Sequence, residues 1–502
     1  MFALYVLVLA GVAAWGYVRW RRLLQYWPRR GVPQPPPHPL LGSLTFLQRK
    51  NPGLWMRELY NEFKSPYVGI WVFWRPGLVV NCPEIGRRIL VNDADVFRNR
   101  LISSGKRDPI GGLNLFTVDD PLWTSVRKRL TSVFTSAKLR ALHNLYHTKA
   151  TELVQRIATD TEKGITLDLR SVFSDYTTDV IGQASFGVKS DATLTGASAL
   201  RTTTKDFMNY SVWRGLAWSS IFFFPELVDV FGFSFFPKAS IDYFKKVFRM
   251  IVSERGGYHN QNLEGKDLLD ALIKMKQNAA KDNEELSEDV LIAQAAIFLQ
   301  AGFETSSLTL AYAIYELAFH PQHQVRVFEE LSAAKRKLGD KEFDSTDLAE
   351  LSYFNGVINE AFRKYPVMGW LDRIADKDYI VDDNLTIEAG TVVYVNAVGM
   401  QMDPEYFPEP ELFNPERFLP ENKSRIPPFT FLPFGEGPRH CIGKRFGLNT
   451  VRYALALIIL NYEVQPIANT PKPNDCKVEK RGLFFIPDET LRVKFVPRNK
   501  SM

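Results

Sequence analysis

Apolar and polar positions along this chain follow two periods, and the helical one dominates. From about residue 121 to 365 apolar side chains recur every three or four positions, the spacing of amphipathic helices. Tyr67 to Val80 instead carries β-branched and aromatic residues and reads as a hairpin turning around Arg75-Pro76-Gly77. Strand-like alternation returns over Arg373 to Val395 and Gly482 to Val496. One stretch, Ala293 to Leu310, is apolar nearly all round. It lies inside a helix that Ser287 would cap, with Glu288 and Asp289 in the first turn and an end near Phe319. A helix without a polar face has to be buried. The pattern predicts a mainly α fold with small β-sheets.

The first forty residues follow another logic. Phe2 to Val18 carries no charge and as a helix would be about 26 Å long, near the short limit for a membrane span. Trp15, Tyr17 and Trp20 stand at its end, where an interfacial aromatic belt belongs. Arg19, Arg21, Arg22, Arg29 and Arg30 follow, an order that keeps the bulk of the chain cytosolic by the positive-inside rule. A cleavable signal peptide would carry its positive charge before the apolar run. Residues 1–22 are therefore expected to be a signal-anchor helix. Residues 23–42, with Pro28, Pro33, Pro35, Pro36, Pro37 and Pro39, are expected to be a stiff extended linker. Residues 43–502 show no further linker and no repeat, so one large domain is expected. The sequons at Asn209, Asn384 and Asn422 would then never meet a lumen.

Composition narrows the class. The hydrophobic fraction is 45% with 36 Phe among 502 residues, enough apolar surface to enclose a cofactor and a cavity as well as a core. Net charge is +6, but the basic run directly follows an apolar stretch, which argues against a nucleic-acid arm. Cys82, Cys441 and Cys476 are far apart and form no C-x-x-C pair. That spacing disfavours a zinc site or a disulfide framework and favours a reducing compartment. The aromatic stretch from Phe222-Phe223-Phe224-Pro225 through Phe231, Phe233, Phe235 and Phe236 has two readings, core or a membrane-dipping lid.

The chemistry concentrates in Phe434-Gly435-Glu436-Gly437-Pro438-Arg439-His440-Cys441-Ile442-Gly443. One cysteine sits in a glycine-punctuated loop that runs into a helical pattern, Lys444 to Leu460. Gly435, Gly437 and Gly443 let the backbone turn sharply and approach a flat ligand. Unpaired N–H groups at a helix start favour a thiolate, and a thiolate so held suits haem iron. A buried structural cysteine is the alternative for any lone Cys; the F-x-x-G-x-R-x-C-x-G surroundings disfavour it. Upstream, Ala301-Gly302-Phe303-Glu304-Thr305-Ser306 puts a carboxylate and two hydroxyls inside the buried helix, which is costly unless they are used or satisfied.

With these motifs in this order the chain resembles the cytochrome P450 family over essentially its whole length. The resemblance implies a haem-thiolate monooxygenase carrying haem b, with Cys441 as the iron ligand in a loop framed by Phe434, Gly435 and Gly443. It implies that Trp123, Arg127, Arg373 and Arg439 bind the haem propionates. It implies that Thr305 positions a proton donor, that Glu304 relays protons, and that Gly302 leaves room for dioxygen. Back-bonding to its own helix is the other reading of Thr305. Glu360 and Arg363, joined by Arg417, would form a buried structural network. Leu113, Leu115, Phe116, Phe303, Val367, Trp370, Leu371, Leu483 and Phe484 lie in segments that would line the substrate cavity. Two departures stand out: Gln401 replaces a usual histidine near the propionates, and Val367-Met368-Gly369-Trp370-Leu371 replaces a proline-rich segment.

No G-x-G-x-x-G fingerprint is present, so the resemblance implies electrons from an NADPH-dependent flavoprotein reductase, with cytochrome b5 as a second donor it allows. Lys128, Arg129, Lys444 and Arg445 would offer that partner a basic face. The expected setting is the endoplasmic reticulum membrane, and the expected substrate a lipophilic small molecule of xenobiotic or specialised metabolism, as in the arthropod branch. A haem-thiolate dehydratase or isomerase, such as one converting aldoximes to nitriles, and a haem gas sensor are the competing functions.

Overall fold

The central element of the computed structural model, which describes residues 1–208, 210–265, 267–281 and 283–498, is the helix Glu288–Phe319. Its start follows the sequence logic: the Ser287 hydroxyl accepts the Val290 N–H at 3.4 Å, with Glu288 and Asp289 in the first turn. Because it is apolar all round it needs neighbours on every side. The helices Leu169–Phe186, Ser352–Lys364 and Lys444–Asn461 supply them.

Beside this helical body stands a four-stranded sheet in the order Tyr67–Val72, Arg75–Val80, Val392–Val395, Leu371–Ile374. The first pair is antiparallel, the second parallel and the third antiparallel. The hairpin turns two residues earlier than Arg75-Pro76-Gly77 suggests: Val72 faces Arg75 across the ladder and Phe73 takes a φ of +59°. Gly77 is drawn into the strand because its register partner Val392 lies on the next strand. Tertiary pairing overrides local turn chemistry here. A second sheet joins Leu167–Asp168, Arg492–Pro497 and Tyr462–Pro466. Only the end of the alternating Gly482 to Val496 stretch is therefore strand; Leu483 and Phe484 sit in a loop.

The N-terminal helix spans Phe2–Gln25, and its apolar window is long enough to cross a membrane and is not buried in the fold. Its last turn already belongs to the globular body. Leu23, Trp27 and Val32 are buried, the Trp27 indole donates to Ile70 O at 3.0 Å, and the Trp71 indole donates to Leu23 O at 3.2 Å. Gly69 N donates to Pro33 O at 2.8 Å, so the proline-rich stretch is docked along the sheet edge. A Cβ on Gly69 would come within 2.3 Å of the Trp27 ring.

The aromatic stretch divides between its two readings. Phe222, Phe223, Phe224, Phe233, Phe235 and Phe236 are buried, while Val230 and Phe231 at its tip are 70% and 53% exposed. Asn384 is exposed at a turn, and Asn209 lies outside the described residues.

The docked helix end yields a prediction. Removing residues 1–18 should leave the globular body folded, whereas Trp27→Ala should cost about 3–5 kcal/mol, the range for deleting a buried aromatic. Denaturant midpoints of the two variants measure the difference, and equal midpoints would show that Trp27 is part of the anchor alone.

Candidate active site

Cys441 hangs in a loop whose shape is fixed by backbone bonds and two left-handed glycines. Gly435 and Gly437 have φ of +65° and +76°, and a Cβ on Gly437 would lie 1.8 Å from Leu90 O. Cys441 N donates to Phe434 O at 2.8 Å and His440 N to Gly437 O at 3.1 Å. Gly443, with φ −89°, caps the helix Lys444–Asn461. Its missing side chain faces open space, with no atom within 4 Å of where a Cβ would be. Burial pushes the Cys441 thiol up, while the Gly443 N–H and the Arg127 and Lys444 cations pull it down. The cysteine is nonetheless accessible, because it faces a hollow inside the fold.

The central helix marks the other wall of that hollow. Between Val290 and Ala318 every residue is buried except Ile297, Ala301, Gly302 and Thr305. Ile297, Ala301 and Thr305 are spaced by four and so share one face. The helix leading away from the cysteine meets the same turn, since a Cβ on Gly447 would lie 3.5 Å from the Ser306 hydroxyl.

On this face the Thr305 hydroxyl donates to Ala301 O at 2.7 Å, the back-bond common for a mid-helix threonine, and its oxygen stays partly accessible. Glu304, one position back, turns toward the helix Leu169–Phe186, where Arg170 holds it at 2.9 and 3.2 Å. Gly302 makes room for a neighbour: a Cβ there would lie 2.5 Å from Ile181. Phe303 is on the far side of the helix, in the core. Trp370, Leu115 and Leu483 are also buried, Trp370 beside the Phe223 ring at 6.0 Å. Leu113, Phe116, Val367, Leu371 and Phe484 remain partly open.

Four guanidinium groups crowd one edge. Arg373 and Arg439 are each pushed down to about 9, chiefly by burial and then by the Arg100 charge. Burial also lowers Arg100 and Arg127, and the cations of Arg100 and Arg127 interact. The hydrogen bonds they make go mostly to carbonyls: Arg373 to Asp372 O at 2.7 Å, Arg439 to Arg98 O at 2.6 Å, Arg127 to His440 O at 2.9 Å. Arg439 lies over the Trp123 ring at 4.3 Å. The buried Nε of Arg100 and Nη1 of Arg439 have no hydrogen-bond partner. A cavity of about 250 Å³ opens among Trp123, Arg373 and Arg439, and Arg98, Asp95 and Asp120 also line it. Mutually repelling, half-buried to buried cations, two of them with a spare buried N–H, fit an anion with paired carboxylates. Arg100 is the member that no sequence signal marks, because nothing in Phe97-Arg98-Asn99-Arg100-Leu101 has a fixed spacing to the cysteine.

Beneath the cysteine loop, Arg363 is fully buried and donates to both oxygens of Glu360, at 2.7 and 2.8 Å. Arg417 adds a contact to Glu360 at 3.4 Å and Asn414 N another at 2.9 Å. Gln401 does not reach toward the guanidinium cluster. Its amide donates to Phe362 O and Arg363 O at 3.2 and 3.1 Å, and its oxygen accepts Leu432 N at 3.1 Å. It therefore straps the cysteine loop to the end of the Ser352–Lys364 helix.

A flat, iron-bearing dianion fits this arrangement: an accessible thiol on one wall, an open helix stripe on the other, and cations at the rim. The family model described as Cytochrome P450 matches residues 32–495. Cytochrome P450 6k1 of Blattella germanica is 32% identical, covering 94% of this chain and 93% of its own. Cytochrome P450 6B6 of Helicoverpa armigera is 31% identical with 96% of each chain covered. Cytochrome P450 3A31 of Mesocricetus auratus is 32% identical, covering 94% and 92%.

Glu360→Gln would leave Arg363 charged, buried and half-paired. A loss of about 3–5 kcal/mol is expected from breaking such a pair, together with falling haem content as the cysteine loop loosens. Unchanged thermal stability with unchanged haem absorbance would show the network to be dispensable.

Proposed function

This chain belongs to the cytochrome P450 family and is a haem-thiolate monooxygenase, and we propose that it oxygenates lipophilic small molecules of xenobiotic or specialised metabolism. In this reading Cys441 is the iron ligand, and electrons come from an NADPH-dependent flavoprotein reductase. The observation that carries the assignment is the accessible Cys441 thiol beside four crowded arginines, of which Arg100 and Arg439 each keep one buried N–H without a partner.

Haem, when bound, supplies the activation of dioxygen. The protein's part is to hold, orient and protect. Arg100, Arg127, Arg373 and Arg439 would bind the propionates, with Trp123 supporting Arg439. The partly open apolar side chains Leu113, Phe116, Val367, Leu371 and Phe484 would hold a greasy substrate and keep water away. Thr305 spends its proton on Ala301 O, so its oxygen is free to accept from a water on the open face and to position that water as proton donor. Glu304, paired with the partly exposed Arg170, would replenish that water if its carboxylate swings from the Leu169–Phe186 side.

Outside the hollow, Lys128, Lys444 and Arg445 are exposed near the cysteine loop and would meet an acidic reductase; Arg129 beside them is paired with Glu284 at 2.9 Å. Cytochrome b5 would use the same surface. The apolar N-terminal helix and the exposed Val212, Trp213, Val230 and Phe231 support anchoring in the endoplasmic reticulum membrane with the catalytic body cytosolic.

Two measurements test this reading. With reductase, NADPH and labelled dioxygen, a lipophilic substrate should gain one labelled oxygen atom; turnover without reductase would favour a dehydratase or isomerase instead. Thr305→Ala should keep haem and substrate binding yet lose about 10²–10⁴-fold in product formation, the usual worth of a positioned proton donor, with hydrogen peroxide released in its place. A wild-type ratio of product to peroxide would leave Thr305 as a helix residue bonded to its own carbonyl.

A further inference from the structure

Asn51 is fully buried and divides its polar atoms between two tasks. Its side-chain oxygen accepts Gly53 N at 2.9 Å, which caps the helix Pro52–Phe63. Its amide donates to a turn at the other end of the chain: Glu479 O at 3.1 Å, Gly482 O at 3.3 Å and Phe484 O at 3.0 Å. Two N–H groups thus serve three carbonyls of one short segment. That is more than a helix cap requires, since serine caps as well as asparagine.

The turn meets the central helix where the open stripe ends. Tyr312 follows Thr305 by nearly two helical turns, so it lies on the same face about 10 Å farther along. Its hydroxyl donates to Phe485 O at 2.8 Å, and Phe485 N donates to Val367 O at 3.1 Å. Thr305 is partly open, whereas Thr309 and Tyr312 are buried, so the stripe closes before it reaches this contact. The Phe485 ring packs back onto the capped helix: a Cβ on Gly53 would lie 2.2 Å from it, and a Cβ on Gly369 would lie 3.1 Å from it. The turn closes on itself through Glu479 N and Ile486 O at 2.8 Å. The apolar side chains it carries are Leu483, which is buried, and Phe484, which is partly open.

We propose that Asn51 is a positioning residue for the reaction above: by tying the turn at Glu479 to Phe484 to a helix cap, it fixes the end wall of the hollow and the length of substrate that fits. This rests on the hollow being the substrate site. Asn51 is enclosed, so it acts through Leu483 and Phe484 and not by contact. Without its amide, the Glu479 and Gly482 carbonyls lose their side-chain donor and the wall is no longer held in advance. A substrate long enough to reach the wall must then order it on binding, which costs affinity; a short one pays nothing.

The test uses the full-length, haem-loaded protein and its variants Asn51→Ser and Asn51→Ala. Serine keeps a capping oxygen but is too short to reach the turn; alanine gives up both. Dissociation constants for imidazole, 1-butylimidazole and 1-octylimidazole are read from the haem absorbance shift. The three share one iron-binding nitrogen and differ only in chain length. Hydrogen exchange is followed over residues 479–486. In the wild type affinity should rise with chain length. In Asn51→Ser, 1-octylimidazole should bind about tenfold more weakly, the scale of ordering two side chains. Imidazole should be unchanged, 1-butylimidazole should fall between, and the turn amides should exchange faster. Asn51→Ala should repeat this pattern and also lower the denaturant midpoint. Wild-type affinity for all three ligands in Asn51→Ser, with or without faster exchange, would overturn the proposal, as would equal weakening of all three. Loss of haem from Asn51→Ser would overturn it too, because that variant keeps the cap and a purely structural role would explain the loss. None of these results touches the monooxygenase reading. Affinity that fails to rise with chain length in the wild type would defeat the hollow as an apolar substrate site, and this inference with it.

Discussion

The buried pair of Glu360 and Arg363 is the constraint on which the active-site geometry rests. Both side chains are fully enclosed, so neither charge can turn to water, and each is committed to the other. Arg363 spends its remaining N–H groups on Gln401 O and Pro410 O, at 3.0 and 2.8 Å. Gln401 in turn reaches Leu432 at the start of the cysteine loop. One ion pair thus sets the end of a helix, a connecting segment and the loop that presents Cys441. A buried pair is poor evidence for net stability, but here it specifies position. Besides this strap, the loop is held by the Phe434 ring against Phe362 at 5.0 Å and by Arg439 over the Trp123 ring at 4.3 Å.

Above this base the protein keeps two costly features. Between Val290 and Ala318 the central helix is buried except at Gly302 and along the stripe of Ile297, Ala301 and Thr305, and four arginines share one rim. Each is expensive in isolation: an apolar stripe facing a hollow forgoes packing, and crowded cations repel one another. A flat apolar macrocycle with two carboxylates would offset both, covering the stripe and neutralising the rim. Binding of that group to the native state adds to stability by mass action.

Local signals were legible in the sequence where one short segment carries them. Ser287 as a helix cap, the glycines before Cys441 and the three-residue spacing of Glu360 and Arg363 each express one turn of backbone geometry. What could not be read depends on partners far along the chain. Arg170 lies 134 residues from Glu304, and no pattern links them. Arg100 joins the rim only because the fold brings it beside Arg373 and Arg439. Gln401 looks like a weakened substitute for histidine, yet three backbone groups claim its amide. Gly302 suggests room for a small ligand, but Ile181 takes the space. Arg75-Pro76-Gly77 has turn chemistry, and pairing with Val392–Val395 draws it into a strand.

The central claim is that Cys441, and neither other cysteine, presents its sulfur to haem iron. The most direct test is the absorbance spectrum of the reduced carbon monoxide complex of the wild-type protein and of Cys441→Ser, Cys82→Ser and Cys476→Ser. The wild type and the latter two should show the strongly red-shifted Soret band of a thiolate-ligated haem, and Cys441→Ser should lose it. Persistence of that band in Cys441→Ser, or its loss in Cys82→Ser or Cys476→Ser with haem still bound, would contradict the account.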